Sequence, residues 1–317
     1  MAVKVIFFLA LVLLGFAWFV DFRASRAEAR AEAMYPPEGQ FVEVAGKRVH
    51  VVIMGSGPDL VLIHGSSGNT RDMTFALAPE LAKSFRVLVF DRPGLGYSDV
   101  IGMNGASLGG QASVLMRAAK QLGANKPLVM GQSYGGGVAL AWAVTFPDAI
   151  AGLVLVSSVA SPWKTPLAPY YKVTSSALGS AIVVPIITAF APSGQIEASI
   201  SDVFAPQALP QGYLSYIAPG LSLRRTSARE NALQRANLLD EVIALTPRFR
   251  EINMPVEIVH GTNDDIVDLS LHTDFLMGQI SSAVLTKLQG IGHMPHQVAT
   301  RDVIAAIERV AARAGLR

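Results

Sequence analysis

Short apolar runs rich in β-branched residues recur along the chain with helix-like stretches between them, and this alternation limits the fold more than any other feature. The runs lie at residues 60–63, 87–90, 128–130, 153–156, 256–259 and 283–288, and the helical stretches near 73–83, 111–122, 138–146, 269–277 and 301–314. Strands apolar on both faces must be covered on both, so the pattern predicts a mostly parallel sheet flanked by helices. Two earlier runs, 41–44 and 48–52, are separated by Ala45-Gly46-Lys47 and read as a β-hairpin, which brings the sheet to eight strands. In such a sheet a ligand site forms at the carboxyl ends of the strands. With 317 residues, the chain has length for one large core with an insertion.

The insertion falls at residues 161–250, where no comparable strand occurs and prolines recur at positions 162, 166, 169, 185, 192, 206, 210 and 219. It reads as helical. Between Ser161 and Gln195 the only charges are Lys164 and Lys172, and residues 177–191 are apolar apart from small polar side chains and Pro185. Such a surface needs a partner. The expected one is the roof of the main domain; a lid resting on a membrane is the alternative.

A mean hydropathy of +0.39 with 16% charged residues is apolar for a purely soluble enzyme, and the N-terminus accounts for part of it. Residues 5–20 form an uninterrupted apolar run behind Lys4, near the lower end of the length that spans a bilayer, and Phe22 extends it past Asp21. We read residues 1–22 as an uncleaved membrane anchor, with a cleaved signal peptide, and so secretion or a periplasmic location, as the alternative. The run ends in bulky Trp18-Phe19-Val20, and past it small-x-small triplets appear at Ser25-Arg26-Ala27 and Ala27-Glu28-Ala29. Lys4 and the terminal amine balance Arg23, Arg26 and Arg30, which leaves the orientation open. Residues 23–40, ending after Pro36-Pro37, are expected to be an exposed, helix-prone linker.

A formal charge of +2 with interspersed signs provides no electrostatic footprint for nucleic acid. The absence of cysteine excludes disulfides, thiolate catalysis and thiolate metal sites, and leaves the compartment open.

The segment that carries chemistry is Gly131-Gln132-Ser133-Tyr134-Gly135, set between the apolar run 127–130 and the helical stretch 138–146. A serine in a sharp strand-to-helix turn crowds its neighbours two residues away, and glycines there relieve it. The Tyr134 amide then begins a helix and can face a developing oxyanion. Three fixed positions with glycine and serine at roughly 7% each would match by chance in about one chain in ten of this length, so position must add to composition. It does. After run 60–63 comes His64-Gly65-Ser66-Ser67-Gly68-Asn69, whose Ser66 amide is the candidate second oxyanion donor. Gly261-Thr262-Asn263-Asp264 follows run 256–259, and Gly290-Ile291-Gly292-His293 follows run 283–288.

With these segments in order, the chain resembles the α/β-hydrolase fold family, in its serine-nucleophile, esterase- or lipase-like branch. The resemblance runs from residue 41 to the C-terminus and includes the turn Asp91-Arg92-Pro93-Gly94-Leu95-Gly96-Tyr97-Ser98. It implies an α/β class: a mostly parallel eight-stranded sheet flanked by helices, with a helical cap inserted after the sixth strand. The core would be 41–160 with 251–317, and the cap 161–250. It further implies Ser133 as nucleophile, His293 as base and Asp264 as its acid. His296 competes for the base, and Asp265 and Asp268 for the acid, but the Gly-x-x-Asp spacing favours Asp264. An acid after the sixth strand is excluded, because no Asp or Glu occurs between Asp148 and Glu197. Asp91 and Arg92 are expected to form a buried structural ion pair. His293, His296 and Asp264 do not match a zinc-hydrolase spacing, and no metal or organic cofactor is implied.

These residues fit hydrolysis of a small, lipophilic carboxylic ester through an acyl-enzyme. The same triad serves carbon-carbon bond, thioester and lactone hydrolases and cofactor-free perhydrolases, and a non-catalytic receptor of this fold is a different class of reading. Serine at the elbow argues against the family's dehalogenases and epoxide hydrolases, which use aspartate there. Oligomeric state is left open.

Overall fold

A computed structural model describes residues 1–317, the side chains at 103 and 104 excepted. Its eight strands are β1 (Gln40–Val44), β2 (Lys47–Met54), β3 (Asp59–Ile63), β4 (Arg86–Phe90), β5 (Leu128–Gln132), β6 (Gly152–Val156), β7 (Val256–Gly261) and β8 (Ala283–Leu288). They form one sheet in the order β1-β2-β4-β3-β5-β6-β7-β8. The hairpin β1–β2 pairs antiparallel and lies antiparallel on β4; every later neighbour pairs parallel. This is the mostly parallel sheet that apolar runs without alternation predict. The central strands β5, β6 and β7 are buried along their whole length, because helices cover both faces.

The helices are α1 (Ala2–Met34), α2 (Thr70–Thr74), α3 (Leu77–Leu81), α4 (Leu108–Gln121), α5 (Tyr134–Thr145), α6 (Pro169–Thr174), α7 (Ala177–Phe190), α8 (Ser193–Phe204), α9 (Tyr213–Tyr216), α10 (Pro219–Ser222), α11 (Arg225–Leu245), α12 (Leu269–Gln279), α13 (Pro295–Val298) and α14 (Thr300–Arg313). Helices α6 to α11 fill the chain between β6 and β7. The helix expected near 73–83 is instead the pair α2 and α3. Pro79, which would break or kink a continuous helix here, falls in the first turn of the second.

Helix α1 is long and apolar enough to cross a membrane, and its first half is exposed, with Phe7 at 66% and Trp18 at 69% accessibility. The stretch expected as an exposed spacer continues this helix to Met34 and packs along the α7–α11 segment. Ala24 and Ala31, two turns apart on one face, are buried, and Asp21, Glu28 and Glu32 pair with Arg225 and Arg224 at the start of α11. Small residues allow close approach of the backbones; the acids and arginines then fix the register.

Candidate active site

Ser133 links β5 to α5 with φ 53° and ψ −117°, a left-handed backbone that a non-glycine residue holds only when its surroundings enforce it. Its neighbours explain the enforcement. A Cβ on Gly131 would lie 2.2 Å from the Gly135 carbonyl oxygen, and one on Gly135 would lie 2.3 Å from that of Ile63. Only glycine at both places lets the turn close against β3. The Ser133 amide donates to the Val156 carbonyl at 3.0 Å, which ties the turn to β6.

The ends of β7 and β8 bring two further predicted residues to Ser133. His293 Nε2 lies 3.0 Å from Ser133 Oγ, and its Nδ1 lies 2.8 and 3.0 Å from the two carboxylate oxygens of Asp264. All three residues are buried. With Nδ1 facing a carboxylate, the ring carries its proton there and presents the Nε2 lone pair to the hydroxyl. Asp264 also accepts from the Ile266 and Val267 amides. Burial would raise its pKa, but hydrogen bonds from His260, His293 and Val267 outweigh that and hold the carboxyl well below its ordinary value. It is therefore charged at neutral pH.

His260 contributes a partner that the sequence did not single out. Its Nε2 lies 3.1 Å from Asp264 Oδ2 and 2.8 Å from the Val267 carbonyl, and its Nδ1 lies 2.6 Å from Thr273 Oγ1. Two acceptors at Nε2 put the proton there, so Nδ1 accepts from the threonine hydroxyl. Asp264 is thus held by one imidazole from each side. The signal for it was the strand-ending His-Gly four residues before the acid.

The competing residues lie elsewhere. Asp265 is exposed, and Asp268 is exposed and caps α12 through the Leu271 amide. His296 is buried against Asp72, with Nε2 3.2 and 3.3 Å from its carboxylate oxygens. Asp72 also accepts from the hydroxyl of Tyr213, on α9, at 2.6 Å and from Gln297 at 3.0 Å. Burial opposes its charge, yet His296 and Tyr213 bring its pKa down to about 2. This second buried carboxylate lines the same cleft as Ser133 and His293 and had no sequence signal beyond following the 64–69 loop.

Ser66 lines the cleft beside Ser133. Tyr134 contributes no side chain to it: its ring is buried beneath Arg92, 4.3 Å from the guanidinium carbon, and only its amide, the first of α5, adjoins Ser133. Such an amide has no intrahelical acceptor. The 64–68 loop is clamped from two directions. Arg92 donates to the His64 and Gly65 carbonyls at 3.0 and 2.8 Å. Asn231, on α11, accepts from the Ser67 amide at 2.8 Å and donates to Ser67 Oγ at 2.9 Å. Asp91 and Arg92 do not pair with each other, contrary to expectation. Asp91 faces His50 at 2.7 Å and accepts from the Thr70 and Tyr97 amides, while Arg92 is spent on the loop carbonyls, Gln111 and Gln234. Successive residues leaving a strand end point to opposite sides, which separates the two charges.

A family model described as alpha/beta hydrolase fold matches residues 58–173. Among curated proteins, polyketide synthase ThaQ of Burkholderia thailandensis is 29% identical over 251 residues, covering 78% of this chain and 11% of the synthase. The chain thus spans about a tenth of that relative's length. Haloalkane dehalogenase 2 of Mycobacterium tuberculosis is 24% identical over 290 residues, 86% of this chain and 95% of the dehalogenase. Among solved structures, a thermophilic esterase from Thermogutta terrifontis superposes with a TM-score of 0.70 at 24% identity, covering 87% and 99% of the two chains. A bacterial membrane phospholipase A superposes with a TM-score of 0.65 at 18% identity over 98% of each chain. At these identities the structural likeness speaks for the fold. The strand order, the elbow and the matched model agree, and this chain has the alpha/beta hydrolase fold.

Proposed function

We propose that the protein is a serine hydrolase that cleaves a carboxylic ester of a lipophilic substrate. The observation that carries this reading is His293 bridging Ser133 and Asp264 at hydrogen-bond distances on both sides. In the proposed reaction His293 Nε2 takes the Ser133 proton as Oγ attacks the ester carbonyl carbon. The amides of Ser66 and Tyr134 receive the oxyanion, and the imidazolium returns its proton to the departing alcohol. Water, deprotonated by the same imidazole, then releases the acid. Serine rather than aspartate at the elbow separates this reading from the dehalogenase relative.

We further propose that residues 1–22 anchor the enzyme in a membrane and that 161–250 act as its cap over the 41–160 and 251–317 core. The exposed apolar half of α1 supports the anchor, as does the likeness over 98% of each chain to a membrane phospholipase A.

Ser133→Ala tests the assignment. It should abolish labelling by a fluorophosphonate and lower hydrolysis of p-nitrophenyl esters by about 10⁴-fold or more. Labelling that persists in the variant removes Ser133 from the mechanism. A panel of esters, thioesters and lactones then identifies the bond cleaved.

A further inference from the structure

Two adjoining cavities lie between core and cap. One, of about 350 Å³, holds Ser133, His293, Ser66 and Asp72. The other, of about 610 Å³, has no charged side chain in its lining and is walled by residues such as Ile187, Phe190 and Ile196 of α7 and α8. Tyr171, Ser199, Ile200, Ile217 and Ser222 belong to both walls, so the apolar chamber abuts the cleft that contains the nucleophile. Its volume lies within the ~300–1,000 Å³ of small-molecule sites, and its lining suits a hydrocarbon chain.

The last turn of α7 serves two purposes. Ile186 and Phe190 line the chamber, and from the same turn Ile186 and Ala189 pack on Val20 and Ala24 of α1. The Phe190 ring lies 6.1 Å from that of Phe19, with the Arg23 guanidinium 4.7 Å above it. The chamber is therefore one side chain away from the place where the apolar run of α1 ends. Leu178, Ile182, Ile186 and Phe190 recur every fourth residue and form one stripe of α7. Its near end packs on α1, while Leu178 and Ile182 are 76% and 58% exposed. The exposed stripe is continuous with the α1 interface, and that continuity identifies what covers it.

We propose that the chamber is a binding site for the acyl chain of a bilayer lipid, which enters it beside α1 while the Leu178–Ile182 stripe rests in the membrane interface. The proposal rests on the ester-hydrolase and anchor readings for its chemistry, but the chamber can be read without turnover. An acyl chain in the apolar chamber would leave its ester group at the shared wall, next to Ser133.

Full-length protein provides the test. Ile187 lines the chamber and not the cleft, so Ile187→Trp should fill the chamber and Ile187→Ala leave it open. The tryptophan variant should lower kcat/KM for p-nitrophenyl palmitate at least about tenfold more than for p-nitrophenyl butyrate, and the alanine variant should not, because each methylene excluded from an apolar site weakens binding severalfold. Leu178→Asp with Ile182→Asp should reduce fatty-acid release from phosphatidylethanolamine/phosphatidylglycerol vesicles about tenfold more than from the same lipids in detergent micelles. Equal losses in either pair overturn the corresponding half of the proposal. Binding of a fluorescent fatty acid to Ser133→Ala protein, lost on adding Ile187→Trp, reads the chamber alone. Esters cleaved with no such binding overturn the chamber; binding with no ester cleaved leaves the chamber standing and overturns the hydrolase reading. Fluorophosphonate labelling of Ile187→Trp reports that it has folded.

Discussion

Helices α5 and α7 are of similar length and nearly free of charge, yet they have opposite fates. Every residue of α5 up to Val144 is buried, because it crosses the sheet face behind Ser133. In α7 only Gly179, Val184, Thr188 and Ala189 are buried, and the rest of its apolar surface faces α1, the chamber or the outside. Hydrophobicity states that a helix needs cover; it does not say whether sheet, substrate or membrane supplies it. For α5 the cover is the protein's own sheet. For α7 it is shared among an N-terminal helix, a cavity and an open face.

The contrast breaks first on stability. Leu140→Ala in α5 should cost about 2–5 kcal/mol in denaturant unfolding, since a buried leucine leaves a cavity. Ile182→Ala in α7 should stay within about 0.5 kcal/mol, as an exposed position does. Equal costs would mean that the outer face of α7 is covered within the fold.

Acid sharpens the same division. His64 and His272, packed at the core, are held down to about 4 against an ordinary 6.5, chiefly by burial, with the Arg92 guanidinium adding to it at His64. Between those values the unfolded chain binds protons that the folded chain refuses, so stability falls as pH drops from 6.5 towards 4. The loss is about 1.4 kcal/mol per pH unit for each fully buried imidazole. His64→Asn should flatten that slope in pH-dependent unfolding; an unchanged slope would place the titration elsewhere.

A smaller effect probes how the core holds its acid. His260→Ala removes one of the two imidazoles on Asp264 and should lower kcat on the order of tenfold with KM nearly unchanged, since it alters the geometry of the pair rather than substrate contacts. A change confined to KM would count against this positioning role.

Much of the core was legible because its signals are local. Runs 60–63, 128–130 and 256–259 became strands because residues apolar on both faces have no other stable placement. Gly131, Ser133 and Gly135 marked the elbow because only glycine tolerates the approaches there. His260 and Asp72 were not legible: their roles depend on which strand ends meet and where α9 packs, and a lone buried histidine or aspartate is as often structural. The Asp91–Arg92 pairing failed for a related reason, since adjacency in sequence says little about partners once each side chain leaves the strand end on its own side.

By itself, the sequence determined the alternation of strands and helices, the order in which the proposed nucleophile, acid and base follow one another, and an N-terminal segment that water does not favour, all properties of short windows read against backbone geometry and hydropathy. The tertiary structure alone decided that residues 23–34 are a strut clamped to α7 and the start of α11 rather than a free spacer. It also decided that Asn231 reaches from α11 to the 64–68 loop, and that an apolar chamber lies between the end of α1 and Ser133. Each of these depends on contacts between residues some 160 to 200 positions apart in the chain, whose partners are set by how whole elements pack.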